Sequence, residues 1–445
     1  MVGCHLGRLF QVTVSGGSYQ EGLTAIVQGV PPGMVLTEQE IYGDLLLRKP
    51  GADELSSPRK EPDLPIIYTG LNADDTIENA GNKNHTNGTP LTILIPNLDR
   101  HSIHIWQYQS TNRTPRPGHA SYASFMKYGP DDDAIGAGIF SGRYTSTIVA
   151  AGYVAKKILA SFGIRVFSYV KELAGVRCPE VDHEAILAYT EAYKKMRHDT
   201  DPFYQEVYVK GRVTMDMRFL EKARVFAEIE NEIDLIRDKT PHYTPEEILD
   251  KYGVHHVLNC PDLEACKAMM DAANAITQSG DSSGGVVEVV ALGVPPGLGE
   301  PVFYKLDAEL GRMLGIGAVK GVEVGAGFAV KDMTGSQSND QMRAENGKVV
   351  FMSNNAGGIT GGLATGQPII VRLAVKPTPT IDKPQKTIDK YTLENADLAA
   401  ITRRDPTIVG RIWPVAENYT ALVLLDNLLA HIGYQEMKAR VSQPQ

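Results

Sequence analysis

Cysteine is scarce in this 445-residue chain: Cys4, Cys178, Cys260 and Cys266 have no paired metal-ligand spacing and are too few for a disulfide framework. That excludes a stapled secreted scaffold and favours a reducing compartment. Positive charge is also short, with 44 Lys and Arg against 53 Asp and Glu and a net charge of -9. A phosphate-backbone binder needs a basic face, so nucleic acid is not an expected partner. No apolar run reaches the length of a membrane span or signal segment, and the start MVGCHLGRLF leads almost at once into strand-like sequence. A cytoplasmic, soluble protein with no membrane partner is expected. Also missing are the Lys-Ser/Thr ending of a P-loop and the spacing of a dinucleotide fingerprint, and no metal site is expected.

What is present begins with a core: 42% of residues are hydrophobic. A short repeat, AIVQGVPPGMVL (25–36) and VVALGVPPGLGE (289–300), twice ends an apolar β-branched run at Gly-Val-Pro-Pro-Gly. There the prolines fix φ and the glycine permits a positive one. Amphipathic helical patterns follow both copies, TEQEIYGDLLLRK (37–49) and YKLDAELGRMLG (304–315). A mixed α and β chain with two related halves is expected. From 176 to 279 the composition turns charged and glycine-poor, with EAILAYTEAYKKMRHD and MRFLEKARVFAEIENEIDLIRDK reading as helices. This stretch is expected to be a helical insertion in a single domain spanning 1–445, its charges on solvated faces.

Several turns carry candidate chemistry. VTVSGGSYQEG (12–22) takes a strand into a glycine-rich turn holding Ser18 and Tyr19. RPGHASY (116–122) puts His119 after Pro-Gly, on a turn from which an imidazole can reach a cleft, with Arg116 three residues earlier. Histidine is the side chain suited to moving protons near neutrality, and a guanidinium forks onto carboxylate or phosphate. VKPTPTI (375–381) and TRRDPTIVGR (402–411) combine cations, threonine hydroxyls and prolines, a rigid donor-rich setting for an anion or a heteroaromatic ring.

Taken together, GRLFQVTVSGGS, the GVPPG units, RPGHASY, VAAGYVAKKIL, AVKGVEVGAGF, SNNAGGITGGLATGQPIIVRLAVKPTPTI and RRDP followed by PVAENYTALVLLDNLL resemble the chorismate synthase family, in family order and over nearly the whole chain. The resemblance implies an α+β fold, a β-α-β sandwich with internal pseudo-two-fold symmetry, assembled as a homotetramer. It implies reduced FMN as cofactor, with NADPH a candidate reductant, and a lyase reaction that eliminates phosphate and a ring proton in a 1,4 sense from a shikimate-type small molecule. By position, His119 and Asp405 take catalytic roles, beside Ser18 and Tyr19. Ser141, Gly317, Ala318, Gly361, Lys376, Pro377, Thr378, Pro379, Thr380 and Arg403 fall where the family holds FMN. Arg48, Arg116, Arg143 and Arg404 fall where it holds substrate anions, and Ser141 borders both groups.

Departures from the family pattern share a direction. Where it reads Gly-Glu-Ser-His-Gly, this chain reads GGSYQ, so a catalytic histidine becomes Tyr19. Arginines become Ile139 and Ile148, a glutamate becomes Tyr144, another arginine position is Glu54, and a histidine becomes Arg404. A phenol with pKa near 10 donates a hydrogen bond but replaces an imidazolium poorly at pH 7. The expected activity is therefore an FMN-dependent elimination from an altered substrate. An authentic chorismate synthase, and a non-catalytic flavin-binding or assembly protein, are the alternatives.

Overall fold

A computed structural model describes residues 2–49, 62–72, 82–98, 112–210, 243–399 and 405–442. Strands β1 (His5–Leu6), β2 (Gln11–Gly16), β3 (Gly22–Gln28), β4 (Ile66–Thr69) and β5 (Leu91–Pro96) form an antiparallel sheet in the order β1-β2-β3-β5-β4. Alternation decides which face is inside: Leu23, Ala25 and Val27 of β3 and Leu91, Ile93 and Ile95 of β5 are all buried. A second antiparallel sheet, in the order β7-β6-β8-β14-β9, uses β6 (Arg165–Leu173), β7 (Val176–Arg177), β8 (Gly285–Leu292), β9 (Val319–Val324) and β14 (Ile369–Val375). Between β9 and β14 run the ribbons β10 (Met342–Glu345) with β11 (Lys348–Phe351) and β12 (Ile359–Thr360) with β13 (Leu363–Ala364). A third ribbon, β15 (Gln385–Ile388) with β16 (Asn395–Leu398), follows β14.

Two central helices lie between the sheets. Thr145–Ser161 packs on β3 and β5, Val409–Val441 packs on β6 and β8, and the helices pack on each other. One contiguous apolar core joins both sheets and both helices. This is the β-α-β sandwich expected from the sequence, and its two halves match element by element. In each, a hairpin (β2-β3; β6-β8) exits through GVPPG to a helix (Glu38–Arg48; Leu306–Gly311), then an edge strand (β4; β9), an inner strand (β5; β14) and a central helix. The twelve-residue repeat is thus the exit of two equivalent strands.

Between β7 and β8, helices His183–Thr200, Pro245–Tyr252 and Leu263–Gln278 occupy the position that the short GGSYQ turn holds in the first half. Their apolar faces join the common core through Ile186, Tyr193, Met196, Met269 and Ala273. Their charges are not all on solvated faces: Lys194 reaches into the core to bond the fully buried Glu417 at 2.7 Å, which also accepts from Lys156 at 2.6 Å. Asn418 joins this group by donating to Asp44 at 3.0 Å. Gly152 makes the helix crossing possible there, since a Cβ on it would lie 2.4 Å from that of Asn418. The charged stretch at 217–239 lies outside the described residues.

The N-terminal segment is strapped down by one carboxylate. Asp426, buried on the C-terminal central helix, accepts from the backbone N–H groups of Arg8 (2.8 Å), Leu9 (2.6 Å) and Phe10 (2.9 Å), and from Arg8 Nε (3.0 Å). Burial works to raise its pKa, but these donors outweigh it and the carboxyl lies below its usual value. A depressed carboxyl contributes stability above its unfolded pKa and loses it as pH falls through the folded one. Asp426→Asn should therefore lower unfolding free energy by about 2 kcal/mol at neutral pH. Denaturant titrations should find the gap from wild type narrowing below about pH 4.

Candidate active site

The loops that carry chemistry follow the inner strands β5 and β14, so they are counterparts under the pseudo-symmetry. They meet side by side. Lys390 N donates to Arg113 O at 3.0 Å, and Lys390 Nζ to Asn112 Oδ1 at 2.8 Å. Arg113 Nε donates to Asp389 at 2.7 Å, and Thr387 Oγ1 to Pro115 O at 2.5 Å. A cleft of about 430 Å³ opens along this seam, lined by Arg116, Pro117, Gly118, His119, Tyr122, Lys386 and Thr387 among others.

On one side of the seam, Arg116 donates to Thr380 Oγ1 at 3.4 Å and lies 3.5 Å from His119 Nε2. Lys376 Nζ donates to Gly118 O at 3.0 Å, and its backbone N–H to Ala318 O at 2.9 Å. Thr378 Oγ1 donates to the Asp405 carbonyl at 2.6 Å, while the Thr378 carbonyl accepts from Ser282 at 2.8 Å. Pro379 packs beneath Gly118, where a Cβ would meet it at 3.5 Å, and Pro377 packs on Gly284. His119, Arg116, Lys376, Thr378, Thr380, Ala318 and Asp405 are thus brought together as the sequence suggested. Gly361 is not part of this cluster: its turn between β12 and β13 adjoins the segment after the second GVPPG, where Leu306 N donates to Gly362 O at 3.1 Å. Arg403, Arg404 and Glu54 lie outside the described residues.

His119 is mostly buried, and its Nδ1 has no hydrogen-bond partner among the described residues. Burial first, then the charges of Arg116 and Lys376, push its pKa down to about 3. Lys376 is lowered as well, by burial and by Lys320. Desolvated cations round an orphaned imidazole nitrogen fit a planar, hydrogen-bonding anion such as a flavin phosphate ester, whose charge would relieve both effects.

The other side of the site is built on two buried arginines. Arg48, closing helix Glu38–Arg48, donates through Nε (2.9 Å) and Nη2 (2.6 Å) to Asp63 and through Nη1 to Thr145 Oγ1 at 3.1 Å. Arg143, just before the first central helix, makes a short ion pair to the other oxygen of Asp63 and donates to Asn97 Oδ1 at 2.9 Å and Pro96 O at 3.1 Å. Asp63 is fully buried. Asn97 turns its amide the other way, donating to the carbonyls of Gly17 and Gln20 at 2.8 Å each, which ties this cluster to the GGSYQ turn.

That turn is held against the loop at 133–138. Ser18 N donates to Gly138 O at 3.2 Å, and Gln20 Nε2 to Asp133 at 3.0 Å. The Tyr19 ring lies flush on Gly136, where a Cβ would sit 2.4 Å from two ring carbons. Gly136, Ala137 and Gly138 all have positive φ, a backbone path for which glycine is suited. Ser141 Oγ accepts from Arg143 N at 3.3 Å as the loop enters the helix. Tyr144, next in line, donates to Gly315 O and accepts from Gly317 N, both at 2.9 Å.

Arg411 links the two sides, donating to Arg48 O at 3.1 Å and to Asp405 Oδ1 at 3.3 Å. Asp63, Asn97 and Arg411 are site residues that sequence reading did not single out. Arg411 closes the stretch TRRDPTIVGR and so had a signal in its neighbours, whereas nothing in the spacing around Asp63 pointed to it.

The matches to known proteins run the length of the chain. The sequence model of the family described as chorismate synthase matches residues 10–429. A chorismate synthase of Acetivibrio thermocellus is 39% identical, with 99% of this chain and 98% of that protein covered. One of Methanosarcina mazei is 37% identical, covering 96% of this chain and 97% of its own. A crystal structure of chorismate synthase superposes with a TM-score of 0.62 at 25% identity, covering 96% of this chain and 94% of that one.

The depressed pKa of His119 gives a pH prediction. Between pH 6.5 and about 3 the unfolded chain binds a proton there that the folded one does not. Stability from this group is thus full above pH 6.5 and lost as pH falls through that window. In the ligand-free protein the His119 ring resonances should stay in the neutral position from pH 8 to about 5, whereas an unperturbed imidazole titrates near 6.5.

Proposed function

The chain belongs to the chorismate synthase family, and on that premise we propose that it is a lyase that uses reduced FMN to drive 1,4-elimination from a shikimate-derived cyclohexene carboxylate carrying fewer negative charges than 5-enolpyruvylshikimate 3-phosphate. The observation that carries the reading is the sharing of one buried carboxylate, Asp63, by both Arg48 and Arg143. Asp63 offsets one of the two positive charges that these guanidiniums bring. Tyr19, Ile139, Tyr144 and Ile148 add none. Loss of a partner for a buried charged group commonly costs about 2–5 kcal/mol. A tetra-anion is therefore poorly matched to this side of the site.

Reduced FMN, when bound, would lend electron density to the allylic centre as the leaving group departs and recover it, so that no net redox change results. His119, Lys376, Thr378 and Thr380 would hold it, with Ala318 and Gly317 supplying backbone. Neutral His119 can donate or accept one hydrogen bond near neutral pH, which suits a group that orients and shuttles a proton. Arg411 fixes the Asp405 carboxylate, which by its position in the family would help to take the ring proton. Arg48 and Arg143, locked by Asp63, would orient the ring carboxylate. Tyr19 would supply a neutral donor in place of a charged imidazole.

The second reading, turnover of 5-enolpyruvylshikimate 3-phosphate itself, is favoured by the full-length similarity to proteins named chorismate synthase. Assay with photoreduced FMN separates the two. The altered-substrate reading predicts chorismate formation at least about 100-fold below a typical kcat/KM near 10⁵ M⁻¹s⁻¹. It also predicts no rescue of a chorismate auxotroph by soluble, flavin-loaded protein. Ordinary turnover and rescue would establish the second reading instead.

A further inference from the structure

Tyr144 stands where the resembled family carries a glutamate, yet its hydroxyl points away from the Asp63 cluster and across to the other half of the molecule. There it donates to Gly315 O and accepts from Gly317 N, at 2.9 Å in both cases. An ionised glutamate is acceptor-only and could bond the Gly317 amide but not the Gly315 carbonyl, whereas a phenol does both with one atom. Burial raises the phenol's pKa against the opposing effect of the Gly317 N–H, so the proton needed for the donated bond is retained.

The bridged segment needs restraint. Gly315 has open space where a Cβ would be, and Ala318 takes the left-handed conformation at φ +70°, which is strained for a residue with a side chain. Ile316 anchors the segment in the core, and Ala318 O accepts from Lys376 N at 2.9 Å. Ties therefore stand on both sides of the strained residue: Tyr144 before it and Lys376 after it. Lys376 in turn bonds Gly118, next to His119.

We infer that Tyr144 is a positioning residue that latches the Gly315–Ala318 segment in its cofactor-ready shape before any cofactor arrives, so that a position facing the substrate in the family here serves FMN affinity. This rests on the flavin reading given above. A segment ordered in advance loses less entropy on binding, and the gain appears as affinity.

Two measurements on Tyr144→Phe and Tyr144→Glu test it. Amide hydrogen exchange in the ligand-free protein should show Gly317 exchanging about fivefold faster in Tyr144→Phe, the equivalent of one net hydrogen bond, and changing less in Tyr144→Glu, whose carboxylate still accepts from that amide. Leu9 and Phe10, held by Asp426, should be unchanged and so report an intact fold. FMN affinity, read by flavin fluorescence quenching, should fall about fivefold in Tyr144→Phe. Unchanged exchange at Gly317 in Tyr144→Phe would overturn the latch, and faster exchange with unchanged FMN affinity would overturn its service to the cofactor. A wild type that binds no FMN would refute the flavin reading, while the exchange comparison would still decide whether the latch exists.

Discussion

Two guanidiniums close on one carboxylate where Arg48 and Arg143 meet Asp63, all three side chains withdrawn from water. Buried charges persist only when paired and fully hydrogen-bonded, and removal of one member of such a group commonly costs about 3–5 kcal/mol. The surroundings satisfy that demand: Thr145, Asn97 and the Pro96 carbonyl take donors that Asp63 does not. Through Asn97 the cluster fixes the GGSYQ turn, and through the Arg48 carbonyl it fixes Arg411 and hence Asp405. Both the substrate side and the candidate base thus hang on the same ion group.

The pseudo-symmetry explains why one chain can hold such a site. Equivalent loops leave equivalent inner strands and meet at their tips, each supplying what the other lacks. The first brings Arg116 and His119, and the second brings Lys376, Thr378 and Thr380. The halves differ most at their hairpins: the first closes in a tight turn around Tyr19, while the second opens into helices whose Lys194 reaches Glu417 in the core. The GGSYQ turn carries no cation, while the seam between the loops holds Arg116, Lys376, Thr378 and Thr380.

Much of this was legible because it is local. GVPPG marks two equivalent strand exits, strand alternation marks the inner faces, and RPGHASY and VKPTPTI name the residues that meet along the seam. What stayed hidden is long-range. Asp63 meets Arg48 across 15 residues and Arg143 across 80, separations that no periodicity encodes. The Tyr144 bridge spans 171 and 173 residues and depends on a hydroxyl where a charge was expected. Gly136 carried no signal of its own, although the Tyr19 ring resting on it requires the missing Cβ. The charges of helix His183–Thr200 looked solvated because sequence alone could not show the buried Glu417 that receives one of them.

If Asp63 offsets one of the two positive charges of Arg48 and Arg143, affinity should not rise with substrate charge. Titration calorimetry on the wild-type protein, with 5-enolpyruvylshikimate 3-phosphate and with shikimate 3-phosphate, which lacks the enolpyruvyl carboxylate, measures this directly. The less charged ring acid should bind at least about tenfold more tightly, a difference of about 1.4 kcal/mol. Tighter binding of the more highly charged compound, weakening steeply with added salt, would contradict the account.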